Sequence, residues 1–113
     1  MATFFRNALL SELGTTETLI ASTDTNARAT FIGLSLTNVT SAIVLASIRI
    51  VNTTESAPND SAYYVKEVPI PPNQSLRIIN GGEKLVLAGD MEVYVSANTD
   101  SSLDLVASYV EIV

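Results

Sequence analysis

Three residue types are missing from this chain, and each absence closes a class of chemistry. There is no cysteine, so no disulfide forms and no thiolate is offered to a metal or a substrate. There is no histidine, which removes the commonest general base and the commonest metal ligand. There is no tryptophan, and lysine occurs only at Lys66 and Lys84. The six basic residues (Arg6, Arg28, Arg49, Lys66, Arg77 and Lys84) stand singly against twelve acids, for a net charge of −6. A nucleic-acid binder needs a clustered positive face, and none is present. The same acidic balance disfavours an anionic membrane surface. No apolar run approaches the roughly 18 residues of a spanning helix. The opening "MATFFRNALL" is too short and too weakly charged to read as a secretory signal.

What remains is a chain of 113 residues, 47% of them hydrophobic, with serine and threonine at twelve each. This is the size of one small domain that can bury a core. Hydroxyl side chains compete for backbone hydrogen bonds in helices, and threonine suits strands. The dominant period is two. In "ATFIGLSLTNV" Ile32, Leu34 and Leu36 alternate with Phe31, Gly33, Ser35 and Thr37. In "AIVLASIRIVN" Val44, Ala46, Ile48 and Ile50 share one face, while Ile43, Leu45, Ser47, Arg49 and Val51 share a mixed one. "NVTSA" between them is short enough for a hairpin. "NTTESAPNDS" reads as an exposed loop, and "AYYVKEVPI" as a strand.

The prolines of "VPIPPNQSL" cannot donate to a ladder, so they predict a corner that carries the chain between sheets. "NGG" at residues 80–82 predicts a hairpin, and "AGD" and "NTDSS" predict further turns before "MEVYVSA" and "LDLVASYVEIV". In the last strand Leu103, Leu105, Ala107 and Tyr109 share a face, opposite Asp104, Val106, Ser108 and Val110. "FFRNALLSEL" is ambiguous: Phe5, Leu9 and Leu13 fit a helical stripe, and an extended arm or short strand fits better. The sum predicts an all-β chain, an antiparallel β-sandwich or jelly roll of seven to nine short strands with an N-terminal arm. Residues 1–15 form the arm or first strand, and residues 16–113 one sandwich domain.

No constellation carries catalysis or a cofactor. The acids sit in turns, where aspartate is favoured for its conformation. Asp90, Glu92, Asp100 and Asp104 lack the spacing of a calcium loop. "INGGEK" lacks the spacing of a phosphate loop and its following helix. The Asn-X-Ser/Thr triplets at Asn38, Asn52, Asn59 and Asn73 read as chance in so hydroxyl-rich a chain. Tyr63, Tyr64, Tyr94 and Tyr109 would make a sugar platform only if exposed together; strand tyrosines more often fill a half-buried sheet.

From Tyr64 onward the pattern resembles the small β-sandwich virion proteins of tailed bacteriophages, of the cyanophage and marine phage type. The matching corner is Val68, Pro69, Ile70, Pro71, Ser75 and Leu76. The matching tail runs through Lys84, Leu85, Leu87, Gly89, Asp90, Val93, Ser96 and Ala97, then Leu103, Asp104, Ser108, Glu111 and Ile112. "FIGLSLTNVTSA" is similar to that family's first core hairpin, so the resemblance spans residues 28–113 and leaves "FFRNALL" outside. It implies a non-enzymatic component of the particle, without catalytic residues, in the neck, tail, baseplate or fibre. Capsid decoration and a carbohydrate- or receptor-binding fibre module are the alternatives. The implied partners are other copies of the chain, as a homo-oligomer, and other virion proteins. Phe4, Phe5, Leu9, Ile43, Leu45 and Val51 are the candidate assembly contacts, because small domains rarely leave such apolar positions uncovered.

Overall fold

The computed structural model describes residues 2–54, 60–80, 82 and 84–113. Among these, nine strands form two antiparallel sheets and no helix occurs. The strands are β1 (Thr3–Leu13), β2 (Thr18–Ser22), β3 (Arg28–Asn38), β4 (Val44–Asn52), β5 (Asp60–Ile70), β6 (Ser75–Ile79), β7 (Leu85–Leu87), β8 (Met91–Ala97) and β9 (Leu103–Ile112). One sheet runs β1-β9-β3-β6, with β7 also on β3; the other runs β2-β8-β4-β5. Two antiparallel sheets in this interleaved order, with β6 and β7 sharing one edge, make the jelly-roll arrangement.

Alternation builds the core. Leu34, Leu36, Leu105 and Ala107 from one sheet meet Ala46, Ile48, Val93 and Val95 from the other, and all are buried. Burying a side chain of this size stabilises by roughly 1.5–3 kcal/mol. Phe31 is also wholly buried and stacks on Tyr109 with ring centroids 4.9 Å apart. At Phe31 and Ile32 this inverts the faces expected from the period of two, while Leu34 and Leu36 are buried as expected. The β3–β9 register slips between Phe31 and Gly33, so Ile32 is an extra residue of a β-bulge. Phe31 therefore points inward along with Leu34, while Ile32 is turned out.

The turn signals stand where the chain turns, but most are crossovers between sheets. "NVTSA" is no hairpin: β3 and β4 lie in different sheets. Its pivot is Asn38, buried with every side-chain atom engaged. Nδ2 donates to the carbonyls of Ala42 (2.7 Å) and Ile70 (2.9 Å). Oδ1 accepts from the amide and the hydroxyl of Thr40 (2.8 and 2.7 Å). Its own amide donates to Gln74 (2.9 Å). One side chain thus ties the 38–42 corner to the proline corner, where β5 ends at Ile70 and residues 71–74 cross to β6.

"NGG" is not a hairpin either. β6 and β7 both run antiparallel to β3, with Leu36 opposite Leu76 and Ala29 opposite Leu87. They are two pieces of one edge strand; the expected Asn80–Gly82 turn includes Gly81, which lies outside the described residues. The consecutive pair that does form a hairpin is β4–β5, with Asn52 opposite Asp60. Residues 55–59 of the expected exposed loop lie outside the described residues.

Asp100 fastens the β8–β9 corner to the β1–β2 connection. Its Oδ1 accepts from the amide (3.1 Å) and the hydroxyl (2.9 Å) of Thr15. Those bonds favour the carboxylate and hold its pKa below the ordinary 3.8. A lowered acid contributes stability above its unfolded value and loses it as pH falls through the folded one. Thermal unfolding followed between pH 5 and pH 2 is therefore expected to show a shallower acid loss for Asp100→Asn than for wild type. Identical slopes would show that the contact carries no charge-dependent stability.

Candidate assembly surface

The outer faces of the two sheets differ in character. On the five-stranded sheet, one row across the strands reads Phe5, Val110, Thr30, Val86. A second reads Leu9, Val106, Ser35, Arg77. Between them lie Asn7, Ser108 and Gly33, with the Ser108 hydroxyl donating to Asn7 Oδ1 at 3.2 Å. Phe5 is 84% exposed and Leu9 72%, and Val86, Val106 and Ile32 are exposed too. Gly33 leaves the middle of the face bare, since a Cβ there would meet nothing within 4 Å. The face is apolar with hydroxyls and amides, and basic residues stand only at its margin. Exposed apolar side chains grouped on one face, rather than scattered singly, are the pattern of contact sites.

On the four-stranded sheet the corresponding row is Leu19, Tyr94, Arg49, Tyr63. Here charge is already engaged. Arg49 donates to both oxygens of Glu17, at 2.8 and 2.6 Å, and lies 5.5 Å from the Tyr94 ring centroid. The bidentate bond lowers the Glu17 pKa and raises that of Arg49. The Tyr94 hydroxyl donates to Glu92 (2.9 Å), which raises the phenol pKa. Lys66 sits 4.9 Å from the Tyr63 ring centroid.

The six candidate contacts thus fall into separate places. Phe5 and Leu9 lie on the outer face of the five-stranded sheet. Phe4, on the same strand with the opposite parity, is overlaid by the Arg6 guanidinium at 4.7 Å. Ile43 is exposed just before β4. Leu45 is half-buried on the outside of β4, where its amide donates to Asn98 Oδ1 (2.9 Å). Val51 keeps outer-face parity but is only 7% exposed and offers little surface. Val86, Val106 and Val110 were not singled out as contacts. The signal for Val106 and Val110 was the apolar content of the second face of "LDLVASYVEIV", and for Val86 the unbroken apolar run Leu85–Leu87.

The tyrosines do not converge. Tyr109 is packed on Phe31, Tyr64 is half-buried, and Tyr63 and Tyr94 flank Arg49. The loop acids are also dispersed. Asp90 accepts from Thr25, Asp100 from Thr15 and Asp104 from the Glu12 amide. Among the described residues no three acids gather into a metal-holding group.

No family model matches the chain. No curated protein matches it either. Among solved structures it is similar to a chain of an IBDV viral particle, with TM-score 0.56 and 8% identity over 96% of this chain. It is similar to a chain of particles derived from infectious bursal virus, with TM-score 0.61 and 9% identity over 97%. It spans only 30% and 31% of those two chains. A third likeness, with TM-score 0.50 and 9% identity, is to a Bacillus endospore appendage chain from a family of disulfide-linked pili, covering 96% of this chain and 86% of that one. At such identities what is shared is the fold: this chain is an antiparallel β-sandwich of the kind found in those assemblies.

Proposed function

We propose that this chain is a non-enzymatic structural component of a tailed phage particle. It assembles as a symmetric oligomer through its β surfaces and belongs to the neck, tail, baseplate or fibre. The observation that carries the reading is the apolar outer face of the five-stranded sheet, with Phe5 and Leu9 at its rim. A domain this small does not keep such a face in water without a partner for it. The resemblance of residues 28–113 to tailed-phage virion proteins supports the location. The likeness to chains of viral particles and pili supports the use of this fold as a building block. With no cysteine, copies of this chain hold together without the disulfides of the appendage family.

Native mass spectrometry and light scattering on the purified chain test the reading. The expected result is a discrete oligomer at an integer multiple of one chain, stable on dilution to micromolar concentration. A monomer throughout the accessible range would overturn it. Tyr63 and Tyr94 on one face favour a second reading, a glycan-binding fibre module. Both rings already lie against cations, so the assembly reading predicts no specific hits on a glycan array.

A further inference from the structure

Resting on that assembly reading, we infer that β1 is a self-pairing edge: two copies join β1 to β1 antiparallel, across a two-fold axis at Asn7. The two sheets have four edges, and three are blunted in the ways that prevent edge-to-edge pairing. β5 carries Lys66 and Pro69, two breaks in register and a positive φ at Glu67. β2 has five residues and an interrupted register between Leu19 and Ala21. The opposite border of the five-stranded sheet is split into β6 and β7. β1 pairs with β9 over eight residues, Thr3 to Leu10, without a slip and with no proline or lysine; its one register shift and its positive φ at Glu12 fall beyond that stretch, between Leu10 and Leu13.

The direction of its free groups follows from the ladder. Ala2 and Val113 exchange both backbone hydrogen bonds, at 2.8 and 2.9 Å. In an antiparallel pair such exchanges recur at every second residue. Phe4, Arg6, Ala8 and Leu10 therefore turn their backbone groups towards β9. Thr3, Phe5, Asn7 and Leu9 turn theirs to the open side, and their side chains stand on the outer face.

The axis at Asn7 is singled out by the side chains. It sets Phe5 opposite Leu9 of the second copy, Phe4 opposite Leu10, Arg6 opposite Ala8, and Asn7 opposite itself. Apolar residues meet apolar residues, the pairing that stabilises sheets. An axis at Arg6 would oppose two guanidinium groups, and one at Ala8 would oppose Phe5 to Ser11 and Phe4 to Glu12. Arg6 already donates to Glu111 at 2.9 Å, so its charge is met within its own chain. The result is one sheet running through both copies, with Phe5 and Leu9 of each flanked by Leu9 and Phe5 of the other on a shared outer face.

Asn7→Pro is the direct test, because the amide it removes faces the open edge and the β1–β9 ladder keeps its bonds. Sedimentation of the full-length variant is expected to show β1-mediated association weakened at least about 30-fold, since symmetry removes two main-chain bonds at once. Leu9→Lys is expected to act in the same direction while circular dichroism stays that of the wild type. In a chain with no other cysteine, Asn7→Cys is expected to cross-link to itself under mild oxidation, and Leu19→Cys is not. Wild-type oligomers that survive both Asn7→Pro and Leu9→Lys, with no cross-link at position 7, would overturn the β1 axis and leave the assembly reading standing. A wild-type monomer would overturn both. Loss of fold in Asn7→Pro transfers the decision to Leu9→Lys and the cross-link.

Discussion

Asn38→Asp is expected to lower unfolding stability at neutral pH by roughly 3–5 kcal/mol. The substitution is nearly isosteric, so packing is not the cause. The atom that replaces Nδ2 is an oxygen, and it faces the carbonyls of Ala42 and Ile70 at distances where a donor stood at 2.7 and 2.9 Å. Two donated bonds become two repulsions, and a charge is placed in a site with no exposed surface. The penalty has a sign with pH. Burial and the facing carbonyls raise the acid above its unfolded value, so the loss is complete at high pH and shrinks as pH falls through the raised value. The neutral acid restores one donor. Chemical denaturation at two pH values checks this, with exposed Asn26→Asp as the control, expected to stay within about 0.5 kcal/mol. An Asn38→Asp protein as stable as wild type would mean that the two corners do not depend on their shared side chain.

Gly89→Ala is expected to destabilise by about 2–4 kcal/mol. The reason is proximity, since the φ of Gly89 is not positive. A methyl carbon there would lie 2.3 Å from the Thr25 carbonyl oxygen and 3.0 Å from that of Asp24. The obstacles are backbone, and that backbone is pinned. Thr23 donates through its hydroxyl to Ala88 (2.6 Å) and through its amide to Met91 (2.8 Å), while Thr25 donates to Asp90 (3.0 Å). Moving the 24–25 segment away breaks those bonds. Gly33→Ala is the matched control, because a methyl group there meets open space. Equal melting temperatures for the two variants would show that the β7–β8 corner yields.

Much of this architecture was legible from the residues, and the failures share a cause. β2, β3, β4, β8 and β9 were readable because one of their faces is apolar and the period of two is local. The corners were located correctly at "VPIPPNQSL", "AGD" and "NTDSS". Turn chemistry shows that a chain bends, and not whether it returns to its own sheet, so "NVTSA" and "NGG" were misread as hairpins. The bulge at Ile32 shifts parity by one residue, and nothing in "TFIGLSL" marks it. β1 looked ambiguous because an edge strand with Leu9 outside and Leu10 inside breaks alternation. For the assembly surface, Phe5 and Leu9 were recognisable as apolar residues in the ambiguous N-terminal stretch, and Ile43 as a member of the mixed face of "AIVLASIRIVN". Val51 was assigned by parity, which says nothing of what covers it. Asn38 was hidden among ordinary turn residues, because its value lies in two partners distant in sequence.

Both sheets are completed by β8 and β9, which follow the other seven described strands in chain order. β8 lies between β2 and β4, and β9 between β1 and β3. During synthesis the chain can form the β4–β5 hairpin and lay β6 and β7 along β3. β1 and β2 then wait without neighbours until residues 91–112 emerge. Such distant closures are slow, and they keep Phe4 and Phe5 open to premature encounters between nascent chains. A ribosome that stalls before residue 103 holds a sheet with its centre missing.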